Sequence, residues 1–178
     1  MNQTNVKIGQ LRDRMKELGI DAYLVPTADF HESEYVGEFF KCRHFLTGFN
    51  GTAGTAVITM DKAGLWTDGR YFVQAEEQLS GSEIKLYRMG EPEFPTLDEF
   101  LEEELPVDGC LGFDGRVVNS ELGYGLQNLL QEKCNNQLQQ GSGRRDLDFP
   151  SGYVLRAYLE PGCKICRKEY RRETFRSS

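Results

Sequence analysis

His31 and His44 are the only two histidines in this chain of 178 residues. A zinc site needs three or four N, S or O ligands at suitable spacing, and a nucleophilic triad needs a base within reach of its nucleophile. Asp29-Phe-His31 is not a recognised ligand pair and nothing gathers around it, so no metal or catalytic centre is expected within residues 1–133. Cys163-Lys-Ile-Cys166 has the local spacing of a zinc or thiol–disulfide site. It stands alone, with no second Cys/His pair at the usual distance and no βαβ unit around it.

Two further stretches concentrate chemistry-bearing residues. Arg43-His-Phe-Leu-Thr-Gly-Phe-Asn-Gly-Thr-Ala-Gly-Thr55 is rich in glycine, which lets a backbone turn sharply and lets chains approach closely. A phosphate cradle would require Gly-x-x-x-x-Gly-Lys-Ser/Thr or Gly-x-Gly-x-x-Gly between a strand and a helix. Neither pattern is present and the stretch leads into a strand, so a tight connection packing Phe45 and Phe49 is expected instead. In Leu65-Trp-Thr-Asp-Gly-Arg-Tyr-Phe72, Asp68 and Gly69 suit a strand-to-helix turn. Asp68 is placed to cap the following helix, with Arg70 and Tyr71 in its first turn pointing outward; the competing reading is a cap plus an internal ion pair.

The elements that must position these residues alternate between helix and strand. Ile8, Leu11, Met15 and Leu18 recur at helical steps over Asn5–Leu18, with Thr4 placed to cap the start and Gly19 the end. Strands are expected at Asp21–Val25, Thr55–Met60, Leu65–Thr67, Ile84–Tyr87 and Cys110–Phe113. Thr27–Lys41 reads as a long polar and aromatic connection. Helices are expected over Gly69–Leu79, from Thr96 where Thr96 and Glu99 form a capping box, and over Asn119–Lys133. The alternation predicts an α/β fold, a mixed β-sheet flanked by helices on both faces.

Composition divides the chain. Residues 1–140 carry a net charge of −11 and residues 141–178 a net charge of +4. The acidic part argues against nucleic acid as a partner, and no apolar run approaches membrane-span length. Met1–Gln10 lacks a basic segment followed by an apolar one, and five scattered cysteines do not form a disulfide framework. A cytoplasmic location is the default expectation. The apolar periodicity stops near Cys134, so the domain is expected to span residues 1–133 and an irregular tail residues 134–178.

Three segments together carry a family resemblance: Asp29-Phe-His-Glu-Ser-Glu-Tyr35, Arg43-x-Phe-Leu-Thr-Gly-Phe-x-Gly-Thr-Ala-Gly-Thr55 and Trp66-Thr-Asp-Gly-Arg-Tyr-Phe72. With the opening Leu-x-x-x-Met-x-x-x-Gly-Ile-Asp-Ala-Tyr23, they resemble in order and spacing the N-terminal domain of Xaa-Pro aminopeptidase (aminopeptidase P) of the creatinase/prolidase superfamily, and most closely its long, three-domain cytosolic type. The resemblance implies that the parent is a hydrolase releasing an N-terminal residue that precedes proline. It also implies two divalent ions, commonly manganese, held by a C-terminal catalytic domain. That domain is not represented in this sequence, so no metal ligand, cofactor or catalytic residue is carried over to it. The implied role of the N-terminal domain is to support subunit contacts and to shape access for peptide substrates. His31, Arg43, Phe49, Arg70 and Tyr71 lie in the matching motifs and are the candidates for such contacts, with fixing the fold internally as the competing role. The implied partners are a second copy or a full-length homologue. The alternative function is a freestanding, non-catalytic protein-interaction module.

Residues 134–178 resemble nothing in that family as written. Back-translated and read one nucleotide later, Leu159–Thr174 permits Trp-Asn-Leu-Asp-Val-Lys-Tyr-Ala-Gly-Lys-Ser-Thr-Gly-Glu-Lys-Leu, which resembles the start of the family's second domain. Asp146-Leu147 likewise permits Ile-Trp. The expectation is that the tail is an out-of-frame translation, in which Cys163 and Cys166 carry no chemistry.

Overall fold

A computed structural model describes residues 2–106, 109–140 and 156–157. Its centre is a mixed sheet in the order β4-β3-β2-β1-β5-β6. The strands are β1 (Ala22–Pro26), β2 (Thr55–Thr59), β3 (Ala63–Thr67), β4 (Lys85–Arg88), β5 (Leu111–Phe113) and the two-residue β6 (Arg156–Ala157). The pairs β1–β2 and β2–β3 are antiparallel, while β1–β5, β3–β4 and β5–β6 are parallel. The expected mixed sheet with flanking helices is the fold observed.

Alternation along the strands builds two cores, because successive side chains point to opposite faces. Ala56, Ile58 and Leu65 point to one face, where Ile8, Leu11, Met15, Phe49, Ala75 and Leu79 meet them. Val57 and Trp66 point to the other, against Tyr87, Phe100, Leu101, Leu126 and Leu130. On that second face the Trp66 and Tyr87 rings stack with centroids 4.3 Å apart, and Phe100 meets Trp66 edge-on at 4.9 Å. Helices therefore cover both faces of β2 and β3, as an apolar strand with no polar face requires.

The helices are α1 (Gln3–Leu18), α2 (Cys42–Thr47), α3 (Phe72–Leu79), α4 (Leu97–Glu104) and α5 (Ser120–Gln140). Several differ from the sequence expectation. Asn2, not Thr4, caps α1: its side-chain oxygen accepts from the Thr4 amide, while Gly19 ends the helix in the left-handed region as expected. Helix α3 starts three residues later than expected and its cap position, Tyr71, makes no side-chain capping bond. Asp68 instead closes a tight turn ahead of it. The Thr96–Glu99 capping box on α4 is complete. Helix α5 runs to Gln140, past the expected end at Lys133, and no glycine or proline lies between Lys133 and Gly141 to stop it.

Candidate functional site

The three motif stretches converge on one end of the sheet. Pro26 at the end of β1 pairs with Thr55 at the start of β2, and Thr55 pairs in turn with Trp66 near the end of β3. The connection after β1, the glycine-rich loop before β2 and the turn after β3 therefore emerge side by side.

Arg43 stands at the centre of this end. It projects from the first turn of α2, a short helix the sequence reading treated as loop, and is only 3% exposed. Its Nε donates to Thr27 Oγ1 at 2.6 Å, one terminal nitrogen donates to the Phe49 carbonyl at 2.9 Å, and the other donates to the Gly51 carbonyl. Arg43 thus ties the β1 exit to two successive points of the glycine-rich loop. No carboxylate within salt-bridge distance accompanies it among the described residues. Burial pushes its pKa down to about 10, with Tyr71 acting in the opposite direction.

Threonines complete the clamp. Thr27 donates its hydroxyl to the Gly54 carbonyl at 2.7 Å, and Thr67 donates to the Ala53 carbonyl at 2.8 Å. Thr47 donates to the Arg43 carbonyl at 2.9 Å and accepts from the Phe49 amide at 3.1 Å. The Thr52 and Tyr71 hydroxyls lie 2.7 Å apart. Gly51 and Gly54 are required here. A Cβ on Gly51 would fall 2.3 Å from Phe49 Cζ, and Gly54 has φ 150° with a would-be Cβ 2.9 Å from the Trp66 carbonyl oxygen.

Four of the five candidate residues form one chain of contacts. The Arg43 guanidinium lies 4.7 Å from the Phe49 ring centre, Phe49 meets Tyr71 edge-on at 5.9 Å, and Arg70 lies 5.3 Å from the Tyr71 ring. Arg43 and Phe49 face inward. Arg70 faces solvent and grips Asp68 with two nitrogens at 2.9 and 2.8 Å, the internal pair of the competing reading. That grip lowers the Asp68 pKa and raises that of Arg70. His31 is exposed on the neighbouring connection, and its amide donates to the Asp29 carboxylate at 2.9 Å. The amides of Ser33 and His31 together hold the Asp29 pKa low.

Beside Arg43 lies a groove of about 460 Å³, lined among others by Tyr35, Phe40, His44, Asn50 and Thr52. Asn50 was not singled out by the sequence, yet the structure fixes it firmly. Its amide donates to Gln78 Oε1 at 3.0 Å, and its own Oδ1 accepts from the side-chain amides of both Gln74 and Gln78. A second cavity, under Phe39 and Phe40, has a volume of only about 30 Å³, room for one water rather than a cofactor. Among the described residues no group of three or more His, Cys, Asp or Glu is placed to hold a metal ion. Nor is any helix among them long and apolar enough to cross a membrane. Cys163 and Cys166 lie outside the described residues.

Residues 7–144 match the creatinase/prolidase N-terminal domain. The chain is 42% identical over 134 residues to aminopeptidase P2 of Arabidopsis thaliana, covering 74% of this chain and 19% of that protein. It is 43% identical over 130 residues to a probable Xaa-Pro aminopeptidase P of Coprinopsis cinerea, covering 73% and 21%. The X-prolyl aminopeptidase of Caenorhabditis elegans, described as a cytosolic enzyme with a di-nuclear active site, superposes with a TM-score of 0.68 at 33% identity over 73% of this chain and 23% of that one. The chain thus spans about a fifth of the length of these relatives.

Proposed function

The chain belongs to the creatinase/prolidase N-terminal domain family, and from that premise we propose that it is the non-catalytic N-terminal part of a metal-dependent Xaa-Pro aminopeptidase. The observation that supports this most directly is the 42% identity confined to 19% of the Arabidopsis protein. In this reading residues 1–133 form the domain, peptides are substrates of the parent, and the cytoplasm is its compartment, as described for the Caenorhabditis relative. Two divalent ions, with manganese the proposed metal, would supply hydrolysis from the parent's catalytic domain. The present chain contributes shape and contacts. Among its described residues nothing gathers to ligate an ion, so no step of the reaction is assigned to it.

His31, Arg70 and Tyr71 are the proposed contacts with a second subunit or with substrate on its way to the parent's active site. Arg43 and Phe49 act behind them by holding the glycine-rich loop in place. The chain assayed with manganese on an Xaa-Pro peptide is expected to give no turnover, and turnover would overturn the reading. In a full-length relative, alanine at the equivalents of His31 and Arg70 is expected to alter the Michaelis constant or the oligomeric state while leaving stability unchanged. Lost stability with an unchanged Michaelis constant would assign them to the fold instead.

One observation favours the alternative, a freestanding interaction module: Phe30 and Tyr35 are 56% and 76% exposed on the connection after β1. Exposed apolar groups mark a contact surface where they form a contiguous patch. Co-purification of the chain with a full-length homologue would support that reading. For residues 134–178 we propose translation out of frame. The coding DNA, read one nucleotide later, is expected to continue into the second and catalytic domains, and a shifted frame that stops early would reject this.

A further inference from the structure

The groove beside Arg43 gathers hydrogen-bond donors. A guanidinium has five N–H groups, and three of those of Arg43 are taken by Thr27, Phe49 and Gly51. Two remain on a cation that is 3% exposed, lines the groove and has no carboxylate within salt-bridge distance among the described residues. Two carbonyls, the Thr27 hydroxyl and the Phe49 ring offset its charge, and a buried cation without an anion is costly.

Asn50 adds a second, independent donor. Its Oδ1 is occupied by Gln74 and Gln78, and its amide by Gln78. The two bonds to Oδ1 fix which end of the side chain is the acceptor, and Nδ2 makes no hydrogen bond to another described residue at this groove-lining position. His44 and Tyr35 line the same space. The charged lining residues are Lys41, Arg43 and Glu34. Lys41 is paired with Glu38, whereas Arg43 makes no ion pair among the described residues, Glu34 included. Phe40, Val36 and the Tyr35 ring supply an apolar flank. The volume of about 460 Å³ lies in the range of small-ligand sites, about 300–1,000 Å³.

We propose that this groove binds the carboxylate of a short peptide. The carboxylate faces Arg43 and Asn50 Nδ2, and the adjoining side chain lies against Tyr35 and Phe40. The proposal rests on this chain's own residues and not on the activity of any parent, so it is tested by binding alone.

The test is a nitrogen-15 NMR titration of the 178-residue chain with three probes: N-acetyl-Ala-Phe with a free C-terminus, the same peptide as its C-terminal amide, and an N-acetyl-Asp-Phe amide. The free acid is expected to give saturable shifts at the Asn50 side-chain NH₂, the Arg43 Nε–H and the Thr52 amide. Amidation is expected to weaken binding by about tenfold or more, the scale of one lost charge-assisted pair. Equal binding of the aspartyl amide and the free acid supports the carboxylate and shows that a side-chain source suffices. Arg43 variants risk unfolding the loop, so Asn50→Asp is the decisive substitution. It keeps the Oδ1 acceptor that Gln74 and Gln78 need but replaces the free donor with a negative oxygen. N50D should stay folded and lose binding of the free acid. Unweakened binding by N50D, equal binding of acid and amide in the Ala-Phe pair, or no saturable shift with any probe would each overturn the proposal.

Discussion

The Arg43 guanidinium donates to the Phe49 carbonyl at 2.9 Å and lies 4.7 Å from the centre of the same residue's ring. One side chain therefore fixes both the backbone and the aromatic group of Phe49. With the bonds to Thr27 and Gly51, Arg43 is the point on which the glycine-rich loop is hung.

Arg43→Met should therefore destabilise the domain by about 2–4 kcal/mol, because it leaves two loop carbonyls and the Thr27 hydroxyl short of a partner. Arg43→Lys should recover only part of this, since an ammonium cannot reach three acceptors in a fork. Trp66 is the only tryptophan and is buried, so urea unfolding followed by its fluorescence reads the change. Wild-type stability in both variants would remove Arg43 from this role.

Gly51→Ala and Gly54→Ala should each cost about 1–3 kcal/mol, for different reasons. At Gly51 the added carbon meets the Phe49 ring at 2.3 Å; at Gly54 it meets the Trp66 carbonyl at 2.9 Å and forces a side chain into φ 150°. The Gly51 defect should be partly relieved by Phe49→Leu, which withdraws the ring. The Gly54 defect should not be, because the clash is with backbone. A double-mutant cycle on the same fluorescence transition separates the two.

These loop residues also show where the sequence ran out. Apolar periodicity marks α1, β2, β3 and α5 because each buries a regular face. The Thr96–Glu99 box was legible because both its members are local, three residues apart. Helix α2 was not legible: six residues hold no full helical repeat, and Gly48 and Gly51 drew the reading toward loop. Asn50 carried no signal, and Thr52, though part of the motif, showed nothing of its role. Their partners, Gln78 and Tyr71, lie 28 and 19 residues away, and only the fold brings them together. Arg43, Phe49, Arg70 and Tyr71 were picked out by motif, but which of them face inward follows from the sheet end on which they sit.

Thr96→Ala should destabilise α4 by about 1 kcal/mol, the usual cost of losing an N-terminal cap. It should also alter the acid response. The amide and hydroxyl of Thr96 hold the Glu99 pKa below 4.5. A depressed carboxylate contributes stability that is fully present above its unfolded pKa and is lost as pH falls through the lower folded value. Wild-type stability should thus decline below about pH 4.5, and Glu99→Gln should remove part of that decline. An unchanged acid limb in Glu99→Gln, followed by helical circular dichroism, would exclude the box from acid unfolding.

His44 should set a second, milder pH dependence in the opposite chemical sense. Partial burial, then the neighbouring Arg43 and Lys41, hold its pKa below 6.5, with Glu38 opposing them. The side chain still meets solvent at the rim of the groove, so the burial is slight, water screens these charges and the effect on stability is small. The sign is nevertheless fixed. A base whose folded pKa is depressed binds its proton more readily when unfolded, so stability is complete above pH 6.5 and falls as pH drops through the folded value. His44→Gln keeps a polar side chain but removes the titration. It should flatten the stability profile between pH 6.5 and the onset of carboxylate protonation, while leaving the plateau above pH 6.5 unchanged. The measurement is the urea midpoint of Trp66 fluorescence across that interval. A wild-type profile already flat there, or an H44Q profile that still slopes, would show that burial and the neighbouring cations together do not depress His44.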